Sequence, residues 1–554
     1  MSFKKGAHFT PARAGASIPI RLSRRSIRAL LYCVGFLGVF TFITKVGGPG
    51  SLSLYKPLKH PLGGEESIID TNKVYPLTKT SSHITPFPSS FNPLSESTPL
   101  TPGPWTAHFP SIVAINQPFR LRIECNHGDT EYCPPNYNIQ LYGPTAASVP
   151  VTALTKINPR TVEAAMVLHE EGEYQVYAWP NYPNCTELQG DPDAAKLYKQ
   201  SVGGTPHLLI AQRGPFPIGR DKHDVHRACK SYEEVLDGRW INHDLVEARM
   251  RSTYSYGEFR PSSQVSIAGN SLPDHSRYVY SPYECKIPHR SFADVLDEVP
   301  ALRHVVFIGG SVARGYVCAR AFPELFGSDE STGVCEQHPE MSLLEHGNRA
   351  ATRTYSISQG RKVDVTFAFV GGKFRDAVKR LDKLETPQVV VFDVGNFASS
   401  MSDDEFLAYH KTAFDYFDSR WKGAHVLVRS TASVVQPLQC FEEEGHTRAN
   451  SWRKRNMTLA AVKEWAARMK AERAAKMDDM ELEETASTRV SFIDAYSITD
   501  LRPETSMDGY HWMYPSPRME KGFLAERPTV GEADDMLLDW MWDEIVMRRS
   551  VTSL

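Results

Sequence analysis

The rhythm of hydrophobic and polar positions changes along this chain, and each change marks a different kind of structure. From 104 to 215 apolar and polar residues alternate with period two. The clearest cases are Phe119-Arg-Leu-Arg-Ile-Glu124, Tyr137-Asn-Ile-Gln-Leu-Tyr142 and Tyr174-Gln-Val-Tyr-Ala-Trp179, with Gly, Pro and Asn between them. Alternation of this kind predicts short, half-buried strands, and hence a β-sandwich. Beyond Cys229 the pattern becomes a series of unbroken apolar runs: Val305–Ile308, Val365–Val370, Val389–Phe392, Val426–Val428 and Val490–Ile493. A run without polar alternation fits a strand buried on both faces. Helical stretches separate these runs, namely Ser311–Ala319, Phe374–Leu384, Asp403–Phe417 and Leu459–Met480. A closing helix, Glu532–Arg548, carries Met536, Leu537, Trp540 and Ile545 at helical spacing. Strands alternating with helices of this length predict a doubly wound, mostly parallel five-stranded sheet over 216–554. Leu459–Met480, rich in charge and alanine, reads as a solvated outer layer.

Before the sandwich the pattern is of another sort. Residues 45–103 are rich in Pro, Ser, Thr and Gly and cannot bury enough apolar surface to offset their ordering entropy, so they read as a disordered stem. Ala29–Thr44 is almost wholly apolar, and residues 1–28 carry Lys4, Lys5, Arg13, Arg21, Arg24, Arg25 and Arg28, with no acidic residue before Glu65. The apolar run is a little shorter than the roughly 20 residues that cross an average bilayer, but thinner membranes and snorkelling flanks accommodate it. The positive cluster on its amino-terminal side keeps 1–28 cytosolic and sends the rest into the lumen. The expectation is a single-pass type II Golgi membrane protein. The rival is a cleaved signal peptide, against which stand the length of the run and the lack of a small-x-small cleavage site.

Overall charge changes little. The 554 residues carry 62 Lys and Arg against 65 Asp and Glu, a net charge of −3, and no basic patch argues for nucleic acid. The nine cysteines comprise Cys33 in the apolar run and Cys125, Cys133, Cys185, Cys229, Cys285, Cys318, Cys335 and Cys440 on the expected oxidising side. No CxxC pair suggests zinc, and disulfide connectivity stays open. The sequons at Asn184 and Asn456 suit a secretory route. Within the sandwich, Trp105, Tyr132, Tyr142 and Trp179 leave two readings open, a structural spacer or a module that binds glycan or a partner.

The candidate chemistry centres on His304-Val-Val-Phe-Ile-Gly-Gly-Ser-Val-Ala-Arg314. Ser311 stands on a strand-to-helix corner, at the carboxyl end of a buried strand and the anion-friendly start of a helix. Alone, such a corner equally suits a phosphate loop or a plain turn. After the last strand, Ser506-Met-Asp-Gly-Tyr-His-Trp512 supplies Asp508 and His511 three residues apart, the spacing of an orienting carboxylate and a base. His304, His425 and His446 have no evident partner and read as structural.

These motifs resemble the SGNH/GDSL hydrolase clan, and within it the PC-esterase branch of trichome-birefringence-like and fungal capsule polysaccharide O-acetyltransferases. The residues that carry the likeness are Gly309-Gly-Ser311 with Arg314, and Asp508-Gly-Tyr-His511. Asp237-Gly-Arg-Trp240, Tyr280-Ser-Pro-Tyr-Glu-Cys285 and Cys318 add to it. It spans about 226–554. The Glu170-Glu-Gly-Glu-Tyr-Gln-Val-Tyr-Ala178 segment separately resembles filamin-type and immunoglobulin-like sandwich repeats. The first resemblance implies a Ser311–His511–Asp508 triad and assigns Arg314 to the oxyanion hole beside the Ser311 N–H. Gly371 or Gly372 looks like the clan's second-block glycine, or else a plain turn. Tyr510 and Trp512 suit stacking on a sugar, or a core. Two positions depart from the family. Gly310 replaces its Asp, and the third block reads Asp393-Val-Gly-Asn-Phe397, so either Asp393 replaces the family's Asn or Asn396 reaches the oxyanion region. A carboxylate there is unfavourable unless protonated or turned away, which favours Asn396.

The activity so implied is a lumenal O-acyltransferase, O-acetyl transfer to a polysaccharide or glycoprotein glycan. The alternatives are a glycan O-acetyl esterase and a non-catalytic glycan-binding protein of the same fold. No bound cofactor or metal is expected. The partners expected are a glycan acceptor, the membrane, an acyl donor of acetyl-CoA origin, and a membrane protein that supplies it.

Overall fold

The amino-terminal strands form two facing sheets. They are β1 (Trp105–His108), β2 (Ile112–Ala114), β3 (Phe119–Cys125), β4 (Asn136–Tyr142), β5 (Thr145–Ser148), β6 (Leu154–Asn158), β7 (Thr161–Met166), β8 (Gly172–Asn181) and β9 (His207–Gln212). The computed structural model describes residues 103–181, 201–213, 227–242, 266–267, 270–271, 278–326, 350–357, 360–370, 373–434, 447–475, 489–506, 513–514, 529–530 and 532–552. One sheet runs β1-β3-β7-β6 and is antiparallel throughout. Leu121, Ile123, Ile139, Leu141 and Val176 interdigitate between it and the second sheet, as the alternating pattern requires. A Cys125–Cys133 disulfide closes the turn after β3.

The second sheet is larger than the sequence pattern indicated. It recruits β10 (Gly238–Asn242) and, past the short pair β11 (Ser266–Ile267) and β12 (Asn270–Ser271), β13 (Tyr278–Pro282), giving the order β13-β10-β5-β4-β8-β9-β2. Strands from both sides of position 215 therefore share one sheet, with Trp240 opposite both Ala146 and Tyr280. The Asp237–Trp240 and Tyr280–Cys285 motifs are this ribbon, which Cys229–Cys285 ties down.

The remaining chain supplies α1 (Tyr232–Leu236), α2 (Phe292–Glu298), β14 (His304–Gly309), α3 (Ser311–Tyr316), α4 (Phe322–Phe326), β15 (Ala350–Ser356) and β16 (Lys362–Phe369). It continues with α5 (Phe374–Leu381), β17 (Val389–Asp393), α6 (Asp403–Arg420), β18 (His425–Arg429), α7 (Arg448–Ala474), β19 (Val490–Ile493) and α8 (Ala495–Thr499). A ribbon of β20 (Met513–Tyr514) and β21 (Thr529–Val530) precedes the closing helix α9 (Glu532–Thr552). All five apolar runs are strands, and α3 passes through a π turn at Val317–Ala321 into α4. The sheet order is β15-β16-β14-β17-β18-β19. It is a mixed six-stranded sheet rather than a five-stranded one. β16, β14, β17, β18 and β19 run parallel to one another, and β15 pairs antiparallel with β16. β15 reads Ala-Ala-Thr-Arg-Thr-Tyr-Ser, a polar edge strand without the apolar run that marks a central one.

Alternate residues of the runs serve two cores. Val305, Phe307, Val391 and Leu427 pack with α2, α3 and α9, whereas Val306, Ile308, Val390 and Val428 pack with α5, α6 and α7. No helix among the described residues is long and apolar enough to cross a membrane, and the expected anchor at 29–44 and all of the 45–103 stem but Gly103 lie outside those residues.

The two parts of the molecule meet over a buried seam. Tyr142, Tyr177 and Trp179 on the second face of β4 and β8 join the core that contains Trp240, Phe292 and Trp542. Trp105 lies in the sandwich core. Three of the four aromatics considered as a binding platform are thus interior, Trp105 between the sandwich sheets and Tyr142 and Trp179 because the α/β part covers the face that alternation alone would leave to water. Arg448, fully buried, crosses the seam. Its Nε and Nη2 donate to Asp500 at 2.6 and 2.5 Å, and Nη2 also donates to Ser148 Oγ at 2.5 Å and the Val149 carbonyl at 2.9 Å. Arg502 lies over the rings of Trp240 and Tyr278, at 4.6 and 5.0 Å. The long helix begins at Arg448, ahead of the Leu459–Met480 stretch that its pattern marked, and one side of these added turns is buried. The charges there are met by Asp500, Asp403 and Asp494.

Arg448→Ala removes one partner of a buried pair and strands Asp500. The expected cost is about 3–5 kcal/mol in denaturant unfolding, and a change under about 1 kcal/mol would show that the seam does not depend on it.

Candidate active site

The parallel strands converge at their carboxyl ends on Ser311. β14 is central, flanked by β16 and β17, with Gly309 opposite Phe369 and Ile308 opposite Phe392. The Val370 N–H donates to the Gly309 carbonyl at 2.8 Å, and the Arg314 N–H to that of Gly310 at 3.0 Å. The chain therefore turns from strand to helix within Gly309–Gly310 and leaves Ser311, half-buried, as the first helical residue. Gly309 has no room for a side chain, since a Cβ would stand 2.5 Å from that of Ala313. In such a corner the first helical N–H groups lack intrahelical acceptors and form an electropositive rim.

Arg314 sits one turn along the same helix. Its guanidinium lies 5.7 Å over the Phe369 ring. Burial pushes its pKa below the ordinary value, and no carboxylate among the described residues counters that effect. A half-buried cation set against an aromatic face rather than an acid is suited to a negative charge that arises in the site.

The corner after β17 places Asp393 and Asn396 in different settings. Asp393 is buried and turned away from an acceptor role in the site. Its Oδ1 accepts from the Gly395 N–H at 2.7 Å and its Oδ2 from Arg429 Nη1 at 2.6 Å. Gly395 has φ of +72°, a left-handed conformation that suits glycine, and it turns the chain into a short 3-10 helix starting at Asn396. Asn396 is buried at 1% exposure. Of the two readings left open, the carboxylate is spent on structure.

Phe397 accounts for the other departure. A Cβ on Gly310 would stand 3.0 Å from Phe397 Cδ1 and 3.3 Å from Cε1. The φ of Gly310, −87°, is open to any residue, so space rather than backbone strain selects glycine. The phenyl ring crowds the position a Cβ would take, so a side chain there needs the ring to give way by a few tenths of an ångström.

Asp508, Tyr510, His511 and Trp512 lie outside the described residues, as do Gly371, Gly372, Asn184 and His446. What flanks the Asp508–His511 segment is described. Ser506 is buried, and β20 follows at Met513. β20 pairs with β21, and β21 packs on the Val317–Ala321 turn of the serine helix. Asn456 is exposed on α7, its Oδ1 accepting from Arg455 at 2.9 Å. His304 and His425 open β14 and β18, at the sheet edge opposite Ser311. They bond to Thr366 and Ser491 at 2.9 and 3.0 Å, and burial lowers both pKa values, His425 to about 3. Each is held by a hydroxyl of the neighbouring strand, which fits a structural role.

Pattern reading missed Arg429, Asp534, Tyr316 and Phe397. Arg429 joins Asp393 to Asp534 of α9, and its Cζ lies 4.9 Å over the Tyr316 ring. A charged residue ending a buried strand, and acids at core spacing in α9, were the available signals.

No protein-family profile matches this chain, and no curated protein is similar to it in sequence. Among solved structures, the chain is similar to the Lin-41 filamin domain at 13% identity and a TM-score of 0.15, with 21% of this chain and 98% of that one covered. It is also similar to a lipase/acylhydrolase from Enterococcus faecalis at 15% identity and a TM-score of 0.25, covering 45% of this chain and 97% of that one. At such scores neither likeness carries weight in assigning an activity.

Gly310→Asp drives its side chain into the Phe397 ring and is expected to lower stability by about 1–3 kcal/mol, the usual cost of overpacking. In a double-mutant cycle, Phe397→Ala should recover part of that loss. Strict additivity of the two changes would show that the ring does not fill the site.

Proposed function

We propose that this chain performs acyl-ester chemistry on glycan hydroxyls, with Ser311 as nucleophile, His511 as general base and Asp508 as the carboxylate that orients it. The single observation that carries the reading is the pairing of Ser311 and Arg314. A serine opens a helix at the carboxyl edge of a central strand, and a half-buried cation with no acidic partner among the described residues stands one turn beyond it. Those are the two groups a tetrahedral oxyanion needs close together. Asn396, buried at the neighbouring corner, is the proposed further donor.

The proposed reaction has two halves. Ser311 Oγ attacks the acyl carbonyl of a donor ester or thioester while His511 takes the hydroxyl proton. The carbonyl oxygen becomes an oxyanion facing the Ser311 N–H and Arg314. Collapse breaks the bond to the leaving group, which receives the proton from His511, and leaves an acyl-serine. A sugar hydroxyl then attacks that ester and gives its proton to His511, which passes it to Ser311 Oγ as the acyl–Oγ bond breaks. Asp508 stabilises the imidazolium without becoming protonated. Water in place of the sugar would make the same site an esterase.

Transfer is proposed over hydrolysis because of the apolar run at 29–44 and the Pro/Ser/Thr stem, which suit a Golgi-lumenal biosynthetic enzyme fed by an acyl donor or a membrane protein that supplies one. Tyr510 and Trp512 are proposed to face the sugar, Gly371 or Gly372 the acyl carbonyl, and Asn184 and Asn456 to carry glycan.

Ser311→Ala is expected to abolish the O-acetylation of cell-surface glycans, read as released acetate, without changing the amount of the protein. Unchanged acetate would sink the mechanism, and a rise would reassign the site to ester hydrolysis. Arg314→Ala is expected to slow turnover by about 10²–10³-fold, as loss of one oxyanion partner typically does.

A further inference from the structure

The acidic first turns of α9 grip two separate parts of the candidate site. Asp534 accepts from Arg429 Nη2, and Arg429 Nη1 donates to Asp393 Oδ2 at 2.6 Å. Asp393 Oδ1 in turn holds the Gly395 N–H at 2.7 Å, one residue before Asn396. Next along α9, Asp535 and Asp539 accept from Arg320 at 2.7 and 2.5 Å, and Arg320 lies in the π turn that continues the serine helix. Glu324 and the Arg290 carbonyl, both at 2.7 Å, and the Asp535 carbonyl at 2.8 Å are the further acceptors of Arg320. Asp393, Arg429 and Asp534 are buried to within 3% of full exclusion, so this is no exposed ion pair that water screens. Its geometry is over-determined as well. One guanidinium spans two carboxylates and lies over the ring of Tyr316, a residue of the serine helix itself.

We infer that Asp534 is a positioning residue, which through Arg429 and Asp393 fixes the left-handed Gly395 and so the distance between the Asn396 corner and the Ser311 corner. The inference rests on the acyl-transfer reading above and adds to it a residue far along the chain that touches no substrate. Its physical content is that a donor must sit where the oxyanion forms, and displacement of about 1 Å can cost some two orders of magnitude in rate. Arg429 can hold Asp393 in register only while its other nitrogen is anchored, and that anchor belongs to a different element, α9. Arg320 fixes the same helix to the serine helix, so α9 sets one corner relative to the other.

The test is phosphonylation of the full-length chain by a fluorophosphonate, in which Ser311 Oγ forms a bond to phosphorus, fluoride leaves and the serine proton passes to the base or to solvent. The extent of labelling at Ser311, located by peptide mass, counts folded sites. The rate constant reports their geometry and does not depend on how many are folded. Asp534→Asn is expected to lower the rate constant about tenfold or more with the final extent retained. Asp534→Glu, which keeps the charge, should fall between that variant and the unmodified chain. Arg448→Ala, a buried-charge variant at the distant seam, should reduce the extent alone. If Asp534→Asn is not recovered folded, Asp534→Glu decides the matter. A rate constant for the folded Asp534 variant within twofold of the unmodified chain overturns the positioning role and leaves the acyl-transfer reading standing. Absence of labelling at Ser311 in the unmodified chain overturns that reading, and the inference with it.

Discussion

The arrangement around Ser311 depends on one buried cation. Arg429 ends a strand whose three central residues, Val426 to Val428, are apolar, and its guanidinium would be costly to bury without carboxylates on both sides. Asp393 arrives from the adjacent strand and Asp534 from the last helix, so the charge is met only when sheet and helix are both in place. Such a requirement favours one packing over its near neighbours, since a helix turned or shifted by one residue would strand the arginine. The carboxylate that would repel an oxyanion is the same one that Arg429 draws away from the site. A residue that looked like a defect in the catalytic pattern is therefore part of the scaffold.

The same logic recurs at a larger scale. Arg448 closes the seam between the sandwich and the α/β part by meeting Asp500, Ser148 and the Val149 carbonyl. Arg320 ties the serine helix to the closing helix. In each case an arginine fork, rigid and always charged, joins elements distant in sequence. The apolar cores supply the bulk of the driving force, but they are tolerant of small shifts, whereas a two-point hydrogen-bonded ion pair is not. The β-sandwich is accordingly part of the body that supports the site. Its second sheet even takes two strands from the chain beyond it.

Hydrophobic rhythm, read from the sequence alone, determined a good deal: the five parallel strands, the sandwich strands, the serine on its corner, and the arginine one turn later. These are local properties. An unbroken apolar run is buried on both faces whatever its neighbours are, and a serine after two glycines at a strand end opens a helix wherever the sheet is placed. What only the tertiary structure decided concerns polar residues whose partners lie far away. It decided that Asp393 faces Arg429 rather than the site, that Phe397 fills the space beside Gly310, and that Trp179 and Tyr142 are seam rather than platform. It also decided that a polar edge strand completes the sheet and that one side of the long helix's first turns is buried. The physical reason is common to all of these. A charge or an aromatic ring is stable in several settings, and which one it occupies depends on the group opposite. The chain brings that group from as far as 105 residues away for Arg429 and 310 for Arg448.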